Sequence, residues 1–302
     1  DRSVSRGLGD VYKRQLKRRL TLQKIAIITD SCSDLTFETL NQYHITMFPI
    51  RIIYKEREFL DKIEITSEEM YANLQKEIPS TSLPDLAYCE KQVAKLKAEG
   101  FTDFIIITVS SNLSGTLNAL KILGEHHTDV NFHFFDSLTL GYPQGVIAIE
   151  AGKLAIAGEN VESILTKLED VRKRTHGYIA LDTLEYLKRG GRLGKTTATL
   201  GELISLKPII SSNDEGVLFT YCKARGRKQA LSKVKQIILS YLDKGKCSLW
   251  ILQGDALKDG YALLEELKSH PNLNFISLET VGPSMGVHTG PNVVGFAILE
   301  EA

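Results

Sequence analysis

Phe104-Ile105-Ile106-Ile107-Thr108-Val109-Ser110-Ser111-Asn112-Leu113-Ser114-Gly115-Thr116 decides the fold class. Its first part is a near-continuous apolar run, the pattern of a strand buried on both faces in a parallel sheet. A hydroxyl-rich turn follows, and the spacing then predicts a helix over 114–125. The same order recurs where Ile25–Thr29 runs into Asp30-Ser31-Cys32-Ser33-Asp34-Leu35. Outward from these, short apolar runs alternate with helical stretches along the chain. Strands are expected at 45–53, 131–136, 178–181, 208–210, 217–221, 248–252, 275–278 and 293–299. Helices are expected at 68–78, 86–99, 145–157, 161–173, 183–188, 198–206, 228–242 and 259–269. Such alternation reads as α/β.

At 302 residues and 43% hydrophobic, the chain can bury a sizeable core and suggests two α/β domains. The boundary is expected around Arg172–His176, giving an N-terminal domain over 24–172 and a C-terminal domain over 173–302. Asp1–Gln15 has neither helical nor strand periodicity and does not begin with Met. The segment 1–23 therefore reads as non-native sequence or a disordered arm, outside the fold. Lys+Arg and Asp+Glu are equal at 37 each, but Asp1–Leu20 alone holds seven basic residues and two acids. What remains is mildly acidic, which argues against a nucleic-acid surface. No apolar run reaches the roughly 18 residues of a membrane span and no signal-peptide core is visible, so a cytoplasmic location is expected. Cys32, Cys89, Cys222 and Cys247 form no C-x-x-C pair, which favours reduced thiols over a structural zinc site.

Three hydroxyl-rich turns are candidate anion sites: 29–35, Thr81-Ser82-Leu83-Pro84-Asp85, and 110–116. Free N–H groups and the partial positive charge of a helix N-terminus suit an anion there, and ligands of open α/β sheets gather beyond the strands' carboxyl ends. Each turn also reads as an ordinary helix cap. None is a P-loop, a G-x-G-x-x-G fingerprint or a G-x-S-x-G elbow, so no cofactor is expected. His126, His127 and His133 suit surface or capping roles better than a metal site, and no metal is expected. His288 sits in a Gly/Pro-rich turn before the last strand, placed to donate to an anion or to serve the turn itself. Lys223-Ala224-Arg225-Gly226-Arg227-Lys228 is either a solvated loop or a docking site for an acidic or phosphorylated partner.

Taken in order, Asp30-Ser31…Asp34-Leu35, Thr81-Ser82-x-Pro84, Ser110-Ser111-x-Leu113-Ser114-Gly115-Thr116, Leu184-x-Tyr186-Leu187-x-x-Gly190-Gly191-Arg192, Leu206-Lys207-Pro208-Ile209, Arg225-Gly226-Arg227-Lys228 and His288-x-Gly290-Pro291 resemble the DegV family from about Lys24 onward. The resemblance implies two α/β domains with a fatty-acid tunnel between them. It also implies a non-enzymatic carrier of a long-chain fatty acid for phospholipid metabolism, whose carboxylate a dihydroxyacetone-kinase-like fatty acid kinase converts to an acyl phosphate. Carried across, the carboxylate ligands fall on Thr81 and Ser111, with His288 and Arg192 completing the polar end. Arg225 would serve the kinase contact or the phosphoryl-transfer step. The chain departs from the family pattern at Asp85, at Asn292 and at Gly141-Tyr142-Pro143. The rival readings are a small-molecule hydrolase or kinase using the Ser-rich turns and, third, a nucleotide-sensing regulator.

Overall fold

The computed structural model describes residues 23–193 and 206–302. The segment 1–22, Gly194 and all but the last residue of the helix expected over 198–206 lie outside them. Strands β1 (Ile25–Asp30), β2 (Ile45–Phe48), β6 (Asp103–Thr108) and β7 (Asn131–Asp136) form a parallel sheet in the order β2-β1-β6-β7. The deciding run behaves as its composition requires. Ile105 and Ile107 point into one core and Phe104 and Ile106 into another, so both faces of β6 are covered.

A second, six-stranded mixed sheet has the order β10-β9-β8-β13-β11-β12. Its members are β8 (Thr175–Ala180), β9 (Leu206–Ser212), β10 (Leu218–Arg225), β11 (Cys247–Gly254), β12 (Leu273–Thr280) and β13 (Val293–Glu300). A small antiparallel sheet, β4-β3-β5, is built from β3 (Ile50–Ile53), β4 (Glu58–Leu60) and β5 (Ser80–Pro84). The expected single strand over 45–53 is thus two strands, because Pro49 has no N–H to continue a ladder. The Thr81 turn is a strand, with Thr81 paired to Ile52.

The helices fill the layers between and outside the sheets. In chain order, α1 (Phe37–Gln42) begins on the Thr36 cap, and α2 (Ser67–Asn73) on a Thr66/Glu69 capping box. The outer face of the parallel sheet is covered by α3 (Leu86–Ala98) and α4 (Thr116–Glu125). Between the two large sheets lie α5 (Tyr142–Ile156) and α6 (Val161–Arg174), sharing one apolar core with both. After the short α7 (Glu185–Arg189), α8 (Gly226–Leu242) and α9 (Leu257–Leu267) cover the far face of the six-stranded sheet. Last comes α10 (Pro283–Thr289), so His288 lies in the final turn of a helix and not in the expected irregular turn. The fold is α/β.

One contact fixes how closely α5 approaches the first sheet. At Gly145 a Cβ would stand 2.5 Å from the Ser33 carbonyl oxygen and 2.7 Å from Leu35 Cδ2. Gly145→Ala is expected to lower stability by about 1–2 kcal/mol, because the overpacking cost exceeds the helix-propensity gain of at most ~1 kcal/mol. Urea unfolding checks this, and an unchanged midpoint would show that the interface yields.

Candidate functional site

The loops at the carboxyl ends of β1, β6 and β7 abut the face of the six-stranded sheet. Between them is a cavity of about 320 Å³. Its wall is mainly apolar, with Leu113, Leu140, Ile179, Leu181, Ile210 and Leu252 among its residues. On the β8 side, Gly177 and Ile179 line the cavity at the period of a strand, with Leu181 just beyond it; Tyr178 borders the cavity too, whereas Ala180 points into the core beneath α8.

Polar groups converge at one end. Thr81 from β5 and His288 from α10 meet there, with Thr81 Oγ1 2.8 Å from His288 Nε2. Arg192 follows α7, and its Nε donates to the Leu113 carbonyl at 3.2 Å and its Nη1 to Gly190 O at 2.5 Å. Ser114 and Ser82 complete this part of the wall. The His288 ring lies against Gly190, with no room between them for a Cβ. Nδ1 is buried and has no partner among the described residues. Burial, and then the nearby Arg192 charge, push His288 down to about 4, so its imidazole is neutral at pH 7. The end therefore offers hydroxyls, a neutral imidazole and one guanidinium to an anion.

The structure brings together Thr81, His288 and Arg192, but not Ser111 or Arg225. Ser111 is exposed and absent from the cavity wall, and its amide donates to both Asp136 carboxylate oxygens at 3.3 Å. The turn geometry is the reason. Ser114 N–H donates to the Ser110 carbonyl at 3.1 Å, a helical spacing that stacks Ser114 over Ser110 and turns Ser111 outward. Ser114 takes the wall position expected of Ser111. Ser110 is itself buried, with Oγ donating to the Gly216 carbonyl at 2.8 Å. Arg225 is exposed at the N-cap of α8 and does not line the cavity. It lies at the end of β10 where Arg225 pairs with Leu206, near Leu181, whose N–H bonds the neighbouring Pro208 carbonyl. Arg227 is committed to Asp259 at 2.6 Å and to the Asn292 carbonyl.

The turn after β1 is a buried acidic latch, not an anion site. Asp30 accepts from Val109 N–H at 2.8 Å, and Asp34 accepts from Gly282 N–H at 2.9 Å with Lys62 Nζ 4.0 Å away. Asp61 accepts from Ser284 N–H at 3.3 Å. Burial raises Asp30 to about 6 and Asp34 to about 7, and raises Asp61 as well. Cys32 lines the cavity, but burial and the neighbouring carboxylates push its thiol well up, which makes it a poor nucleophile. His127 pairs with Glu90 at 2.9 Å and His133 with Asp103 at 3.0 Å. Among the described residues no cluster of His, Cys, Asp or Glu can hold a metal, and no helix is long and apolar enough to cross a membrane.

The family model described as "Uncharacterised protein, DegV family" matches residues 24–301. A DegV domain-containing protein of Clostridium perfringens is 45% identical over 280 residues, covering 93% of this chain and 100% of its own. Among solved structures, DegV of Bacillus subtilis, a fatty acid binding protein, superposes with a TM-score of 0.85 at 26% identity. That match covers 92% of this chain and 100% of the other. A stearic acid-binding protein of Eubacterium ventriosum gives a TM-score of 0.82 at 25% identity, covering 91% and 98%.

Proposed function

Because the chain belongs to the DegV family, we propose that it is a carrier that holds one long-chain fatty acid and presents the carboxylate to a dihydroxyacetone-kinase-like fatty acid kinase. The carrier has no chemistry of its own in this reading and works in the cytoplasm, with its tunnel between two α/β domains over 24–172 and 173–302. One observation carries the proposal: an apolar cavity of about 320 Å³ that ends in Thr81, Ser114, Arg192 and His288. Burying roughly fourteen methylenes at ~0.8 kcal/mol each gives ~11 kcal/mol before association costs, enough to hold an alkyl chain without a charged clamp. A carboxylate at the end of that chain must be satisfied, and the two hydroxyls with Arg192 supply the donors. Arg225 stands outside the cavity at the end of β10, exposed for the kinase in this reading.

Protein purified from a bacterial host is expected to carry about one fatty acid per chain, the occupancy that a single pocket allows. Native mass spectrometry before and after lipid extraction reads this directly. Delipidated protein that takes up no fatty acid in calorimetry would overturn the carrier reading. A loaded carrier that yields no acyl phosphate with kinase and ATP would overturn the presentation step alone.

A further inference from the structure

Where the cavity wall passes over Gly177 of β8, two residues of α5 form it. Pro143 sits over Gly177 of β8, so closely that its ring fills the space a Cβ on Gly177 would need. Tyr142 beside it is 1% exposed, lines the cavity, and has its ring centroid 5.9 Å from that of Trp250. Trp250 pairs with Ala297, which pairs with Gly177, so both α5 residues lie over one row of the six-stranded sheet. The half-buried Glu279 lies near Tyr142, with its carboxylate accepting from the Ser277 hydroxyl at 2.7 Å. Leu181, just past the end of β8, is four residues from Gly177, or about 13 Å at the rise of a strand. The wall at this point is thus aromatic, closely packed on the sheet, and lies at the opposite end of the β8 face from Leu181.

We propose that Tyr142 and Pro143 are the tunnel stop, and that they set the longest acyl chain the protein accepts. This rests on the carrier reading, because a chain is measured from its anchored carboxylate. A chain that reaches the stop gains nothing from further methylenes, which must coil back or push the carboxylate off Thr81 and Ser114. With the ring removed, each extra methylene that finds room is worth about fourfold in Kd.

The test compares hexadecanoic, octadecanoic and icosanoic acids on delipidated wild type, Tyr142→Ala and Pro143→Ala by calorimetry, with thermal unfolding as the check on folding. In Tyr142→Ala the affinity for icosanoic relative to hexadecanoic acid is expected to rise at least about tenfold, as two or more methylenes are accommodated. Pro143→Ala keeps the helix start and is expected to shift the same ratio by a few-fold, so it carries the test if Tyr142→Ala does not fold. Folded variants that bind with the wild-type ratio would overturn the tunnel stop and leave the carrier standing. A wild type that binds none of the acids would overturn the carrier reading, and the stop with it.

Discussion

Replacing Thr81 by Val or Ser114 by Ala is expected to weaken fatty-acid binding by roughly ten- to a hundredfold, because each removes a hydrogen bond to a charged group worth about 1.5–3 kcal/mol. The two hydroxyls come from β5 and from the turn after β6, and both belong to the polar end of the cavity. They serve one carboxylate in this reading, so the double variant should lose less than the product of the single losses. Ser111→Ala is the control. Its side chain is exposed and lines no part of the cavity, so affinity should not move. Calorimetry on delipidated protein decides: a loss at Ser111 equal to that at Ser114 would return the carboxylate to the outer face of the turn.

Stability of the unliganded protein is expected to increase as pH falls from about 7 toward about 4, the reverse of ordinary acid denaturation. Asp34, raised from 3.8 to about 7, binds its proton in the folded state across a range where the unfolded chain has already released it. Asp30, raised from 3.8 to about 6, does the same over a narrower range. At about 1.4 kcal/mol per pH unit, burial of these carboxylates costs roughly 4 and 3 kcal/mol at neutral pH, and acid returns both. Asp61 acts in the same direction. His288 opposes them. Its lowered pKa of about 4 means the unfolded chain takes up a proton first, so that contribution is lost as pH falls from about 6.5 to 4. The two main carboxyls together outweigh the one imidazole. Asp34→Asn keeps an acceptor for Gly282 N–H, and it should flatten the slope of unfolding free energy against pH by close to one proton between about pH 7 and 5. Parallel slopes for wild type and the Asp34→Asn variant in urea titrations would show that Asp34 stays ionised.

Much of this architecture is readable because burial on both faces leaves a mark in composition. The Phe104–Ile107 run suits only a doubly covered strand, and its neighbours follow from the same rule. Short elements leave no such mark. Glu58–Leu60 is too brief for a period, and the Gly/Pro-rich stretch from Gly286 reads as a turn although Gly286–Thr289 ends a helix, because Gly, Pro and His weigh against a helix until the surrounding packing imposes one. Ser80–Pro84 reads as a helix-leading turn, yet its pairing with β3 lies about thirty residues away, beyond any local pattern. At the site, the motifs of Thr81, Arg192 and His288 lead to one polar end, but the hydroxyl turn points to Ser111 where the cavity takes Ser114. Both serines sit in one turn, and only the hydrogen bond from Ser114 to Ser110 decides which faces inward.

Thr81 and His288 touch, yet 207 residues of chain separate them. On a ribosome adding about 5–20 residues per second, roughly 10–40 seconds pass between the synthesis of the first and the second. For much of that interval the six-stranded sheet is incomplete, and β13 near its middle is made only after His288, so the apolar cavity wall of the loops after β1 and β6 lacks its full cover. On the proposed function, a nascent chain has no complete polar end to hold a fatty acid's carboxylate until α10 has emerged. If the protein is the carrier proposed above, cargo loading is therefore a late event in the life of each molecule, and the half-made chain is the form most exposed to aggregation.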